Sequence, residues 1–248
     1  MREKRLEIGT AVILVLLPIA VILSEKTVYT FFRLDAAYSQ LIVDAAMFMV
    51  AFVINHYWIK VKVDPFNTKK PVSQFLNMIP GIVMLAITGK FSPLGTAKNV
   101  ILAIATVLMV AIAEEFVFRG LLIPVMYKLV NQHLFIALII SAFGFGSIHL
   151  INLLNHFPVY LIGAQVFMAA ATGMLYGALY VKTHNLTLPI ILHVITDLPI
   201  FFPRAGTANA ASELAGNQRP LMVIFMFVLF LISCLVAYLQ IRKTKVDY

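Results

Sequence analysis

The groups in this sequence that could do chemistry are the side chains of Glu114, Glu115, Arg119, His149, His193 and Asp197, and all sit inside runs that are otherwise apolar. A charged side chain in lipid costs about 2.5–3.5 kcal/mol on insertion scales, so residues of this kind mark a polar site within the bilayer. Their types suit hydrolysis. A carboxylate can take a proton from water, and an imidazole can share that work or meet the developing oxyanion. Two histidines with carboxylates could equally bind zinc and leave a position for water.

Spacing divides the labour. Glu115 and Arg119 are four apart, with the acid N-terminal, which on a helix is the favourable order for a pair. They read as a structural ion pair. Glu114 points about 100° away from Glu115, which leaves its carboxylate free to act on water. His149 ends the run Phe143-Gly144-Phe145-Gly146-Ser147-Ile148-His149. A single histidine on an apolar helix is more often a packing residue than a ligand, but Gly144 and Gly146 allow close helix approach. His193 and Asp197 are again four apart and project into one volume, with Pro189 and Pro199 flanking them. If a metal is used, the candidate ligands are Glu114, His149, His193 and Asp197. No HExxH pattern is present, so zinc is not demanded by spacing, and a metal-free water activated by Glu114 and His149 is the alternative. Asp44 could pair or line a cavity. His133, His156 and His184 read as solvated loop residues, and His56 and Asn55 as interfacial.

These residues need helices to position them. The chain has 248 residues, 61% of them hydrophobic and only 12% charged, with a mean hydropathy of +0.94. Soluble domains are nearer about 25% charged. Continuously apolar runs exclude the alternation of a β-barrel, and only helices then satisfy the backbone in lipid. The expectation is an all-α, polytopic membrane helix bundle of about eight transmembrane helices, roughly 8–23, 36–58, 75–89, 99–122, 134–150, 159–181, 186–202 and 220–240. The third holds Pro80 and Gly81 and is the weakest. The whole chain, 1–248, reads as a single membrane-embedded domain with its reactive core at about 100–202.

The formal net charge is +8. The basic residues lie mostly between spans, so their reading is topogenic and no nucleic-acid partner is expected. With the N-terminus inside, inner segments hold twelve Lys and Arg against six in outer ones. Both termini are therefore expected in the cytoplasm, with the protein a multi-pass component of the cell membrane. The first run, 8–23, lacks a small-x-small cleavage site and reads as an uncleaved span. The lone Cys234 makes an internal disulfide impossible. The segment 203–220 reads as the longest outer loop. Gly173 and Gly177 form a GxxxG pair, expected to serve packing inside the bundle, with a homodimer as the alternative use.

The same residues resemble the motifs of the CAAX-protease and bacteriocin-processing (Abi) family of intramembrane endopeptidases. Its EExxxR motif is matched by Glu114-Glu115-Phe116-Val117-Phe118-Arg119, FxxxH by Phe145-Gly146-Ser147-Ile148-His149, and HxxxN/D by His193-Val194-Ile195-Thr196-Asp197. The turn around Lys182-Thr183-His184-Asn185 is also similar, and the likeness covers about 100–200. It implies an eight-helix endopeptidase acting on a membrane-associated peptide or protein. Glu114 and His149 would activate water, and His193 and Asp197 would serve the oxyanion or a metal, zinc being the candidate. Many members have Asn where this chain has Asp197. An ionised Asp cannot donate to an oxyanion, which favours a metal-ligand role or a protonated acid. The resemblance also implies the rival reading, a non-catalytic bacteriocin-immunity or scaffold protein. A proton-coupled transporter is a third class, disfavoured because no internal repeat is visible.

Overall fold

A computed structural model describes residues 2–33, 36–91, 94–154, 156–202, 219–246 and 248. Among these residues there is no strand, and the protein is all-α. The helices are α1 (Arg2–Phe32), α2 (Ala36–Ile54), α3 (Pro71–Ile87), α4 (Val100–Glu115), α5 (Ile123–Leu129), α6 (Leu134–Ser147), α7 (Val159–Thr183), α8 (Thr187–Phe201) and α9 (Arg219–Ile241). Between α4 and α5, Phe116–Leu122 continues the same rod in a wider π winding, where the N–H of Ile123 reaches back five residues to the carbonyl of Phe118. The hydroxyl of Ser141 on α6 also donates to that carbonyl, at 2.8 Å.

The chain is a polytopic membrane protein. Among the described residues six helices, Leu6–Phe32, Tyr38–Ile59, Val100–Leu129, Leu134–Leu153, Val159–Thr183 and Pro220–Ile241, are long and apolar enough to cross a bilayer. The third and seventh of the eight anticipated spans are the shorter helices α3 and α8, of 17 and 15 residues. At about 1.5 Å per residue they reach only about 25 and 22 Å, short of a hydrocarbon layer about 30 Å thick. The anticipated loop at 203–220 lies almost wholly outside the described residues.

α7 is the central helix. Its inner half, from Ala169 to Val181, is buried without a break, and it packs against α6 on one side and α9 on another. Small residues set the distances. A Cβ at Gly146 of α6 would meet the carbonyl oxygen of Val166 on α7 at 2.7 Å, so only glycine permits this approach. Gly173 faces Ala142, and Gly177 faces Ile123 and Leu138; both members of the GxxxG pair are occupied inside the bundle.

The turn joining α7 to α8 is fixed by the extended segment 60–70. The backbone N–H groups of Leu186 and Thr187 donate to the carbonyls of Asp64 and Pro65, at 3.0 and 3.1 Å. The Asn67 amide donates to the Thr183 carbonyl at 2.7 Å, and buried Asn185 donates to Asn67 O and Gln74 Oε1. Buried backbone N–H and C=O groups are almost always paired, so these bonds set where α8 begins and hence where His193 and Asp197 stand. His184, a solvated loop residue by sequence, lies in that turn 3.6 Å from Asp64.

Candidate active site

Arg119 and Glu115 form the base of the site. Both are fully buried, and Arg119 Nε lies 3.1 Å from Glu115 Oε2. Among the described residues neither terminal nitrogen of Arg119 has a hydrogen-bond partner; instead the guanidinium lies 4.4 Å from the centre of the Phe145 ring and 5.7 Å from that of Tyr176. Aromatic faces stabilise a desolvated cation by about 2 kcal/mol or more. This assigns a use to Phe145, the first residue of the FxxxH pattern, for which sequence reasoning had none.

The second oxygen of Glu115 is 2.8 Å from Nδ1 of His193, which is 4% exposed. Glu115 is thus shared between Arg119 and His193, and the spacing argument, restricted to one helix, missed the second partner. At the other edge of the same ring, Nε2 lies 3.3 Å from Asp197 Oδ2 and 3.5 Å from Glu114 Oε2. Phe145 meets the imidazole edge to face at 5.8 Å. The structure therefore brings Glu114, Glu115, Arg119, His193 and Asp197 into one buried cluster built from the rod of α4 and α8.

His149 is not in direct contact with that cluster. It lies where α6 tightens into the 3-10 turn Ile148–Leu153, with its ring 6.4 Å from that of Phe145. It lines the same cavity as Glu114, His193 and Asp197. That cavity has a volume of about 330 Å³, at the lower end of the range for small-ligand sites. Glu114 and Asp197 keep 17% and 20% of their side chains accessible, against none for Glu115, so the two outer carboxylates are the ones that face it.

Sequence reasoning missed several groups in the wall. Tyr176 donates to or accepts from Thr196 at 2.9 Å, and Gln165 accepts from Asn152 at 3.0 Å. Gln40 and Lys90 reach the cavity from α2 and from the end of α3. The GxxxG pattern could have directed attention to Tyr176 beside it; nothing in sequence marks Gln40 or Gln165. Asp44 is buried one turn after Gln40 and bonded to it, with one carboxylate oxygen unpartnered among the described residues.

Among the described residues, no group of three or more His, Cys, Asp or Glu side chains converges in a way that could hold a metal ion. Both ring nitrogens of His193 already face carboxylate oxygens, and His149 stands apart from them. The site as folded does not fit zinc on Glu114, His149, His193 and Asp197.

Comparison with curated proteins and with solved structures finds no match for this chain. Residues 96–199, the stretch that carries every member of the buried cluster and His149, match the family described as type II CAAX prenyl endopeptidase Rce1-like. That stretch, less than half of the chain, is the part that is similar to the Rce1-like family.

Proposed function

We propose that this protein is an intramembrane endopeptidase that hydrolyses a peptide bond of a membrane-associated peptide or protein, using water activated by Glu114 with His149. The observation that carries the reading is the His193 ring, held on one edge by buried Glu115 and on the other between the two cavity-facing carboxylates of Glu114 and Asp197.

A carboxylate oxygen only accepts hydrogen bonds. With carboxylates at both ring nitrogens, His193 is placed to donate from both. Glu114 takes a proton from a water in the cavity, and the water oxygen attacks the peptide carbonyl carbon. The carbonyl π electrons move to oxygen, and the resulting oxyanion is met by the Nε2–H of His193, while His149 across the cavity helps Glu114 hold and activate the attacking water. Collapse breaks the C–N bond, and the proton held by Glu114 passes to the leaving amine. Before attack Asp197 accepts the single Nε2–H of His193 and so sets the ring, and that hydrogen turns to the oxyanion as its charge develops; Asp197 does not itself have to donate. That removes the difficulty raised by Asp in place of Asn.

The test is cleavage of a tethered peptide by purified protein in lipid nanodiscs. Glu114→Gln and His149→Ala should each lower kcat by about 10²- to 10⁴-fold, the range for a lost general base or its partner. Retained cleavage in both variants rejects these roles, and full biological activity of Glu114→Gln points to a binding protein without catalysis. No metal takes part in these steps, so cleavage should survive a strong zinc chelator. Chelator inactivation reversed by added zinc would overturn the metal-free route.

A further inference from the structure

The cavity of acids and imidazoles also contains one lysine, Lys90, which lies outside the family-matched stretch. Its placement is built into the end of α3. The N–H of Lys90 donates to the carbonyl of Leu85 at 2.9 Å and the N–H of Gly89 to that of Ala86 at 3.2 Å, while Gly89 adopts φ 70°. These paired bonds with a left-handed glycine are a Schellman cap. In such a cap the residue after the glycine commonly packs back on the helix as an apolar contact. Here that position holds a half-buried lysine that lines the cavity instead. Among the described residues it forms no ion pair, although its charge and that of Asp197 interact across the cavity.

The surroundings of Lys90 are those of a peptide subsite. Val110, Met168, Ile200 and Phe201 give apolar walls, and Gln40 and Gln165 offer carboxamides. A lysine head group, with three donors and no acceptor, best recognises a carboxylate. We propose that Lys90 forms a carboxylate-binding subsite that selects peptides bearing an anionic group close to the scissile bond. This rests on the endopeptidase reading for its meaning, but the binding it describes does not require cleavage. The carboxylate is either a free C-terminus or an acidic side chain, since the ammonium recognises the same chemistry in both.

A lysine at a helix C-terminus also interacts favourably with the helix dipole, and this role would not discriminate between peptides. The experiment separates the two. The full chain in lipid nanodiscs, carrying Glu114→Gln to prevent turnover, is titrated by fluorescence anisotropy with a labelled apolar tetrapeptide in three forms. One has a free C-terminus, one is amidated, and one is amidated with an aspartate beside the terminal residue. The form or forms bearing the recognised carboxylate should bind roughly tenfold or more tightly than the neutral amide, as expected for one charge-assisted hydrogen bond. Adding Lys90→Gln should abolish that ratio, Lys90→Arg should retain most of it, and Lys90→Glu should invert it. Which form is preferred identifies the source of the carboxylate.

The proposal fails if the parent protein binds none of the forms or all equally. It also fails if Lys90→Gln weakens every form alike, which is what a purely structural lysine would do. A turnover assay of the same peptides on protein with Glu114 intact is read separately. Discrimination in binding without any cleavage leaves the subsite standing and removes the endopeptidase reading; cleavage without discrimination does the reverse.

Discussion

At the residue scale, the site is organised around charge compensation at the buried wall of a cavity. Arg119 and His193 stand among the carboxylates of Glu114, Glu115 and Asp197, and Glu115 touches both. Breaking a buried pair by removing one partner is far costlier than never having had it, about 3–5 kcal/mol. Glu115→Gln should therefore destabilise the protein by that order, and Arg119→Met should relieve part of the loss. A double-mutant cycle on unfolding in bicelles reads this directly, and additive effects would dismiss the shared role of Glu115. Asp197→Asn keeps an oxygen that can accept from His193 Nε2, so activity should stay within about tenfold of the parent. Asp197→Leu should lose about 100-fold or more. If Asn and Leu are equally inactive, the negative charge of Asp197 itself is required, and the ring-fixing role is wrong.

At the scale of elements, the candidate site residues are held by features that are unusual for their helices. The π winding at Phe116–Leu122 sits directly beside Glu115, and such insertions in α-helices are frequent at functional sites. The tightened turn at Ile148–Leu153 carries His149. Three residues before that histidine, Gly146 packs on the backbone of α7. Gly146→Leu cannot be absorbed by a flexible neighbour, because what its Cβ would meet is a carbonyl oxygen. Overpacking of this kind costs about 1–3 kcal/mol. It should displace His149 from the cavity, so turnover should fall well beyond what the loss of folded protein explains. Normal kcat in the folded fraction would show that the α6–α7 approach does not position His149. Asn185→Leu tests the other anchor. It removes the bonds to Asn67 and Gln74, and it should loosen the start of α8 and lower activity without touching the cavity.

At the scale of the molecule, the cavity lies toward one end of the bundle. Gln40 is near the start of α2, Gln165 near the start of α7, Lys90 follows α3, and Phe201 ends α8. The segment 60–70 and the α7–α8 turn lie at the opposite end. If the excess of basic residues sets the orientation, the cavity end faces away from the cytoplasm and both chain termini lie inside. In a Cys234→Ser background, a membrane-impermeant maleimide added outside intact cells should label Lys98→Cys and spare Lys128→Cys and Lys243→Cys. The reverse pattern would invert the topology and place the cavity on the cytoplasmic side.

The sequence by itself determined the class of protein and the candidate site residues. Apolar composition leaves a chain no option in lipid but helices, and the desolvation cost of Glu114, Glu115, Arg119, His149, His193 and Asp197 makes each of them conspicuous in such a background. Regular i, i+4 spacing was enough to put Glu115 beside Arg119 and His193 beside Asp197, because both pairs lie within one rod. Only the tertiary structure decided what these pairs do to each other. That Glu115 also grips His193, that Phe145 covers Arg119, that His149 faces the cluster across a cavity, and that Lys90 enters it from another helix are contacts between distant parts of the chain. They depend on crossing distances set by glycines and on a helix start fixed by a buried amide network, and no periodicity along a single helix encodes them.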